Sequence, residues 1–239
     1  MISGLSLSGS ILAAKARGII PIAVDIKPVS PRDGNLIGSR KPSELALSLV
    51  EAGACALSVV TESGNFGGSL EMLEEVAQAV PVPVLRKDFI VSPDQIDESL
   101  EAGASGILLT LATIPELDFP GLYRRAQSLG IEPLVEVHSL EELKFALGLE
   151  PPIVGINNRD ILKLEMDSGD VSMTEELAPL VPEGVVSISE SSLLTGIDIR
   201  RALDAGADAV LVGTAVLQAR DPGARLAELI EEAECLRTR

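Results

Sequence analysis

Five side chains able to carry acid–base chemistry stand at equivalent places in this sequence. Lys27, Lys87, Glu136, Asn157 and Glu190 each close a short apolar run. A lysine ammonium can deliver a proton to an oxygen, a glutamate can take a proton or balance a developing cation, and an amide can hold either in place. A positioned donor or acceptor contributes roughly 10²–10⁴-fold to a rate. Asp25, two residues before Lys27, is a further carboxylate beside Glu136 and Glu190. Lysines and carboxylates gathered inside an apolar interior are unfavourable unless they are tightly paired or have a task.

The elements that would gather them are marked by a repeat. The phrase Glu/Asp-Ala-Gly-Ala occurs at 51–54, 101–104 and 204–207. Each copy follows a helical pattern and precedes a short apolar run. Its glycine suits the positive-φ residue that ends a helix before the chain turns into a strand. Strands are accordingly predicted near 20–27, 55–61, 83–87, 105–110, 132–137, 153–157, 185–190 and 208–213. Segments of helical period follow them, for example 43–51, 69–79, 94–102 and 139–147. This alternation requires a parallel sheet with right-handed crossovers. Eight units with no linker between them favour a single closed (βα)8 TIM barrel over 19–239, rather than an open doubly wound sheet. Residues 1–18 form a short extension, helical over about 5–17. One domain of 239 residues is an ordinary size for such a barrel and can bury roughly 70–75% of its unfolded surface.

Side chains alternate along a strand. In the first, Ile22, Val24 and Ile26 therefore face the outer helices, while Ala23, Asp25 and Lys27 point into the barrel. The same rule turns Leu85 and Lys87, Leu134 and Glu136, and Gly155 and Asn157 inward, and gives Val186, Ile188 and Glu190 one shared face. All five chemical residues then lie at carboxyl ends of strands, where barrel enzymes hold their active sites. The last two strands run into Ser189-Glu190-Ser191-Ser192 and into Gly213-Thr214, the latter before a short helical patch at 215–219. Loops in these places hold phosphate through backbone dipoles, which makes Ser191, Ser192, Gly213 and Thr214 candidate phosphate contacts.

With 19 Lys and Arg against 36 Asp and Glu, the net charge of −17 argues against nucleic acid and anionic membrane as partners. The longest apolar runs, 107–114 and 207–217, are too short to cross a bilayer. The N-terminal stretch has no basic residue ahead of its weak apolar run, so a cytoplasmic protein is expected. Cys55 and Cys235 make neither a disulfide framework nor a metal motif and are expected to be structural. His138, the only histidine, lies just past Glu136; a general base is conceivable there, but it reads better as the first residue of the loop to the next helix, and alone it makes no metal site. Phe66 and Phe89 follow the second and third strands, where they would either wall an aromatic ring together with Leu108 or pack their own loops. The Glu-rich stretch 228–234 reads as a solvated helix face. No exposed apolar stripe announces an interface, so a monomer or weak oligomer is expected.

Seven segments together resemble the indole-3-glycerol-phosphate synthase family. They are Asp25-Ile-Lys27-Pro-Val-Ser30-Pro31, Thr61-Glu62 with Phe66-Gly-Gly-Ser69, Leu85-Arg-Lys87-Asp88-Phe89, Pro133-Leu-Val-Glu136-Val-His, Gly155-Ile-Asn157-Asn-Arg159-Asp160, Ser189-Glu190-Ser191 and Leu211-Val-Gly213-Thr214. They stand in family order from residue 19 to about 230, and the Lys-Asp-Phe and Gly-Ile-Asn-x-Arg-Asp segments are the specific ones. The resemblance implies ring closure of 1-(2-carboxyphenylamino)-1-deoxyribulose 5-phosphate, with loss of carbon dioxide and water, to indole-3-glycerol phosphate. It implies a small anionic sugar-phosphate substrate and no metal or cofactor, and it admits association with other tryptophan-pathway enzymes. Lys87 would be the general acid on the ketone, Glu136 the base or stabiliser of an iminium, and Lys27 the holder of the carboxylate and an aid to dehydration. Asn157 and Glu190 would orient the sugar hydroxyls and the lysines, with Asp25 beside them. Ser30, Ser191, Gly213 and Thr214 would contact phosphate, with Ser192 adjoining, and Arg159 would contact substrate. Departures from the family pattern are Asp25 in place of Glu, Ser192 in place of Gly, Val29 in place of a basic or small polar residue, Gly67 in place of Asn or Gln, and a shorter segment before the first strand.

Two alternatives stand beside this reading. A phosphoribosylanthranilate isomerase-like barrel would want a cysteine at the end of the first strand, where this chain has Asp25 and Lys27. A catalytically silent sugar-phosphate-binding barrel is supported only by Asp25 and Ser192, and opposed by Lys27, Lys87 and Glu136.

Overall fold

Eight parallel strands close on themselves in chain order: β1 Ile22–Ile26, β2 Ala56–Val60, β3 Val84–Lys87, β4 Gly106–Thr110, β5 Glu132–Val137, β6 Ile153–Asn157, β7 Val186–Glu190 and β8 Ala209–Val212. β1 pairs with β2 on one side, Ala23 opposite Ala56, and with β8 on the other, Ala23 opposite Leu211. This is the (βα)8 TIM barrel expected from the repeat. The computed structural model describes residues 5–159 and 169–237; Asp160 of the 155–160 motif and the first four residues of the N-terminal extension lie outside them.

The helices are α1 Leu7–Ala16, α2 Pro42–Glu51, α3 Leu70–Ala79, α4 Pro93–Glu101, α5 Phe119–Leu129, α6 Leu140–Leu147, α7 Ser172–Leu177, α8 Gly196–Asp204, α9 Thr214–Leu217 and α10 Pro222–Arg237. Serine or threonine starts many of them. Ser69, Ser92, Ser139 and Thr195 each accept a backbone N–H of the first turn, which satisfies a donor that the helix leaves unpaired. The glycines of the repeated phrase, Gly53, Gly103 and Gly206, have φ of +113°, +85° and +111°, the turn from helix into strand that the repeat implied.

Strand alternation divides the core in two. Ile22, Val24 and Ile26 pack outward among the helices. Ala23, Leu85, Leu108, Leu134, Ile188 and Leu211 fill the barrel. Leu7, Ile11 and Ala14, one face of α1, join that inner cluster, so the extension plugs the amino-terminal end of the barrel. Gly106 is where it enters: a β-carbon there would stand 2.6 Å from Leu7 Cδ1 and 2.9 Å from the Glu132 carbonyl. Ser10 Oγ ties the plug down by donating to the Cys55 carbonyl at 2.6 Å. We expect Ile11→Ala, at a fully buried site, to lower unfolding free energy by about 2–5 kcal/mol in urea titration. A loss below about 1 kcal/mol would mean that α1 is not part of the cooperative core.

Two details differ from expectation. A small antiparallel ribbon, Val29–Ser30 with Gly34–Asn35, follows β1; with two residues per strand it has no periodicity to read. Cys55 is buried at the plugged end, and burial pushes its thiol up to about 11, but Cys235 lies exposed on α10 rather than packed as a structural residue. The Glu-rich face of α10 is solvated as expected, with Arg225 paired to Glu228 and Glu232. Among the described residues no helix is long and apolar enough to cross a membrane.

Candidate active site

The five chemical residues and Asp25 meet at the carboxyl end of the barrel. Register brings them level: Glu136 lies opposite Gly155, and Asn157 opposite Glu190. Lys87 Nζ reaches across the barrel to Glu190 Oε2 at 2.5 Å. Asn157 Nδ2 donates to Glu136 Oε2 at 2.9 Å, and Asn157 Oδ1 accepts the Arg159 backbone N–H at 3.0 Å, which fixes the amide. Glu190 is therefore the residue that meets a lysine, and Asn157 the one that meets the glutamate.

Asp25 is held by Ser58 on β2, whose hydroxyl donates to Oδ1 at 2.6 Å. A glycine makes the space for Glu190: a β-carbon on Gly155 would lie 2.3 Å from Glu190 Oε1. Gly155→Ala should push Glu190 off Lys87. We expect kcat/KM to fall about 10²-fold, the usual result of misplacing a site by an ångström, with the fold retained by circular dichroism. Wild-type turnover in that variant would show that the Lys87–Glu190 contact is dispensable.

Glu136 and Glu190 are wholly buried, and the Lys87 side chain is only 17% exposed. Burial alone would depress Lys87, but Glu190, Asp25 and Glu136 outweigh it and hold the ammonium well above the ordinary lysine value. The competition between burial and carboxylates thus ends with a charged Lys87 at neutral pH. Glu190 is raised, chiefly by burial and further by Glu136 and Asp25, with Lys87 opposing.

Beside this cluster a cavity is lined by Asp25, Lys27, Lys87 and Arg159 together with 191–194 and 211–215. It unites the lysines with Ser191, Ser192, Gly213 and Thr214, the residues expected to contact phosphate. Ser191 and Ser192 have φ of +68° and +60°, a region that disfavours any residue with a β-carbon and suits the glycine usual at the second position. Ser192 gains a contact there, because its Oγ accepts the Arg159 Nε–H at 3.1 Å.

The remaining expected residues lie around this cavity rather than in its wall. Ser30 is buried in the ribbon and exchanges hydrogen bonds with Asp33. Phe66 and Phe89 are half-buried in the loops after β2 and β3. Leu108 faces Leu134, one layer beneath Glu136, so it floors the site instead of walling it. Val29 and Gly67, both departures from the family pattern, are neighbours: Gly67 has φ +65°, and a β-carbon there would touch Val29 Cγ2 at 3.4 Å.

Several supporting residues have roles that the sequence alone does not disclose. Buried Arg86 donates to Thr61, Ser99, the Gln95 carbonyl and Asp88, which fixes the chain between Lys87 and Phe89. Asn158 spans the carbonyls of Glu190 and Ser191 and the Ser189 hydroxyl, while its Oδ1 accepts from Thr174. His138 lies beside Glu136, with Nε2 3.6 Å from Oε1. Strand parity from Leu134 through Glu136 to His138 was the available signal for the histidine. The others depend on register between strands.

A closed parallel barrel with lysines and carboxylates at its carboxyl mouth defines the class: a (βα)8 barrel equipped for acid–base chemistry. The family profile described as Indole-3-glycerol phosphate synthase matches residues 6–229. The chain is 43% identical to the indole-3-glycerol phosphate synthase of Thermococcus kodakarensis over 94% of this chain and 97% of that one. It is 42% identical to that of Pyrococcus furiosus, over 94% and 96%. The chain belongs to the indole-3-glycerol phosphate synthase family. Among solved structures, a thiamine phosphate pyrophosphorylase from Pyrococcus furiosus superposes with a TM-score of 0.67 at 18% identity, covering 91% of this chain and 96% of that one. A mandelate oxidase mutant gives 0.70 at 18% identity, covering 99% and 88%. At those identities the likeness concerns the barrel fold alone.

Proposed function

We propose that this barrel closes the indole ring of tryptophan biosynthesis, converting 1-(2-carboxyphenylamino)-1-deoxyribulose 5-phosphate to indole-3-glycerol phosphate as a carbon–carbon carboxy-lyase. The observation that carries the reading is the juxtaposition of charged Lys87 with Glu190, and of Glu136 with Asn157, at the mouth beside the 191–194 and 213–215 loops. The phosphate takes the loops, with Ser191, Ser192, Gly213 and Thr214 as its contacts and Arg159 behind them. Lys27 holds the substrate carboxylate. The carboxylate-bearing ring carbon attacks the ketone carbon, and Lys87 gives its proton to the oxygen, which becomes more basic than the amine as the bond forms. Positive charge then rests on the anilino nitrogen, where Glu136 balances it. Carbon dioxide leaves with its bonding pair returned to the ring. Loss of the new hydroxyl as water, with Lys27 as acid and Glu136 taking the carbon-bound proton, completes the indole. Donors fixed before reaction in a closed site are worth more than the same groups in water, because they need no reorganisation.

The test offers the purified protein two substrates separately, the carboxyphenylamino-deoxyribulose phosphate and phosphoribosylanthranilate. Indole fluorescence should rise with the first and no conversion should occur with the second. Isomerisation of the second without indole formation from the first would replace the proposal.

A further inference from the structure

We infer that His138 is a positioning residue for Glu136: anchored on Glu142, it presents Nε2 to the glutamate oxygen that Asn157 leaves uncovered. The inference rests on the role proposed above for Glu136. Asn157 covers Oε2, and among the described residues Oε1 is buried with no hydrogen-bond partner. Nε2 of His138, 3.6 Å away, is buried in the same condition. The other side of the ring is fixed. Glu142, in the first turn of α6, lies 3.3 Å from Nδ1 and also accepts the His138 backbone N–H at 2.6 Å. Two unsatisfied buried groups facing each other across a short gap are a contact waiting to tighten, as catalytic hydrogen bonds do once substrate is bound.

The chemistry of the ring selects its charge state. With Nδ1–H given to a carboxylate, a neutral imidazole would turn a bare lone pair toward Glu136. Protonated, it offers an N–H to a carboxylate on each side. The carboxylates around it favour the cation: Glu142 from α6, Glu136 from β5 and Glu190 from β7, whose own partner is Lys87 on β3. Burial opposes the cation, and the carboxylates overcome it, so the imidazole is held above its ordinary value. The imidazolium keeps Glu136 oriented while positive charge develops on the substrate nitrogen.

This placement makes turnover depend on a proton that the active cluster does not itself carry. kcat should decline on the alkaline side as His138 deprotonates, through a midpoint above the usual histidine value of about 6.5. Lys87 titrates far higher and cannot supply that limb. The chain has one histidine, so its ring resonance in proton NMR reads the same midpoint without assignment. His138→Leu should lower kcat roughly 10- to 100-fold with KM little changed, the effect of losing one charge-assisted hydrogen bond. His138→Gln, which can place a donor near the Nε2 position but does not titrate, should recover most of the lost turnover and abolish the limb. Glu142→Gln should move both the kinetic and the NMR midpoints to lower pH. A purely packing role would let Glu142→Gln move the NMR midpoint while the kinetic midpoint stays where it is in the wild type. Wild-type kcat in His138→Leu, or a kinetic limb that persists in His138→Gln, would overturn the inference while leaving the proposed function standing. No turnover by the wild type would overturn the proposed function first. Should His138→Leu fail to fold, His138→Gln and Glu142→Gln decide.

Discussion

Lys87→Met is expected to lower kcat/KM roughly 10²–10⁴-fold, the range for loss of a positioned general acid, and to destabilise the fold as well. The second effect comes from Glu190. It is fully buried, its Oε2 is bonded to Lys87, and its Oε1 already has no partner among the described residues. Removing one member of a buried ion pair typically costs roughly 3–5 kcal/mol. The destabilisation should depend on pH with a definite sign. Burial and the neighbouring Glu136 and Asp25 raise Glu190 above the ordinary carboxylate value, and only Lys87 opposes them. Without Lys87 the folded state holds that proton more tightly than the unfolded state does. Stability of the variant should therefore fall as pH rises from about 4 through the raised Glu190 value, and recover on acidification. Adding Glu190→Gln should restore much of the stability and none of the activity. Urea titrations of the single and double variants at pH 5 and 8 check this, and equal stability of wild type and Lys87→Met at pH 8 would show that the pair carries no such weight.

Glu136→Gln separates chemistry from folding more cleanly. A glutamine carbonyl can still accept from Asn157 Nδ2, now at 2.9 Å from Oε2, while the amide end takes the place of Oε1 and faces His138 Nε2, which in the neutral ring accepts its N–H. Stability should change by less than about 1 kcal/mol. Turnover should fall roughly 10²–10⁴-fold, because an amide neither takes a proton nor balances a cation. Retained turnover would remove Glu136 from the chemistry and pass the base role to Glu190 or Asp25.

Much of this site was legible in the sequence because it obeys a local rule. Two-residue alternation places Lys27, Lys87, Glu136, Asn157 and Glu190 on inner faces, and the barrel puts every strand's carboxyl end at one mouth. What alternation cannot supply is the partner, since partners come from register between strands distant in sequence. Ser58 holding Asp25, Gly155 yielding its side-chain space to Glu190, and Arg86 reaching Thr61 all depend on that. Leu108 shows the same limit, because being inward-facing did not reveal which layer it occupies. The 29–35 ribbon was too short to have a period. The extension was legible as a helix but not as a plug, although Leu7, Ile11 and Ala14 are spaced to make one apolar face. His138 reads as the start of a loop, and spacing alone does not show that its ring stands between Glu136 and Glu142.

Ring closure with decarboxylation at this mouth makes a stoichiometric demand. The direct test is the ratio of carbon dioxide released to indole product formed when the wild-type chain consumes carboxyphenylamino-deoxyribulose phosphate, with Glu136→Gln as control. Equal amounts of the two products are expected from the wild type, and loss of both together in the variant. Substrate consumed without carbon dioxide, or a folded wild type that forms no indole, would contradict it.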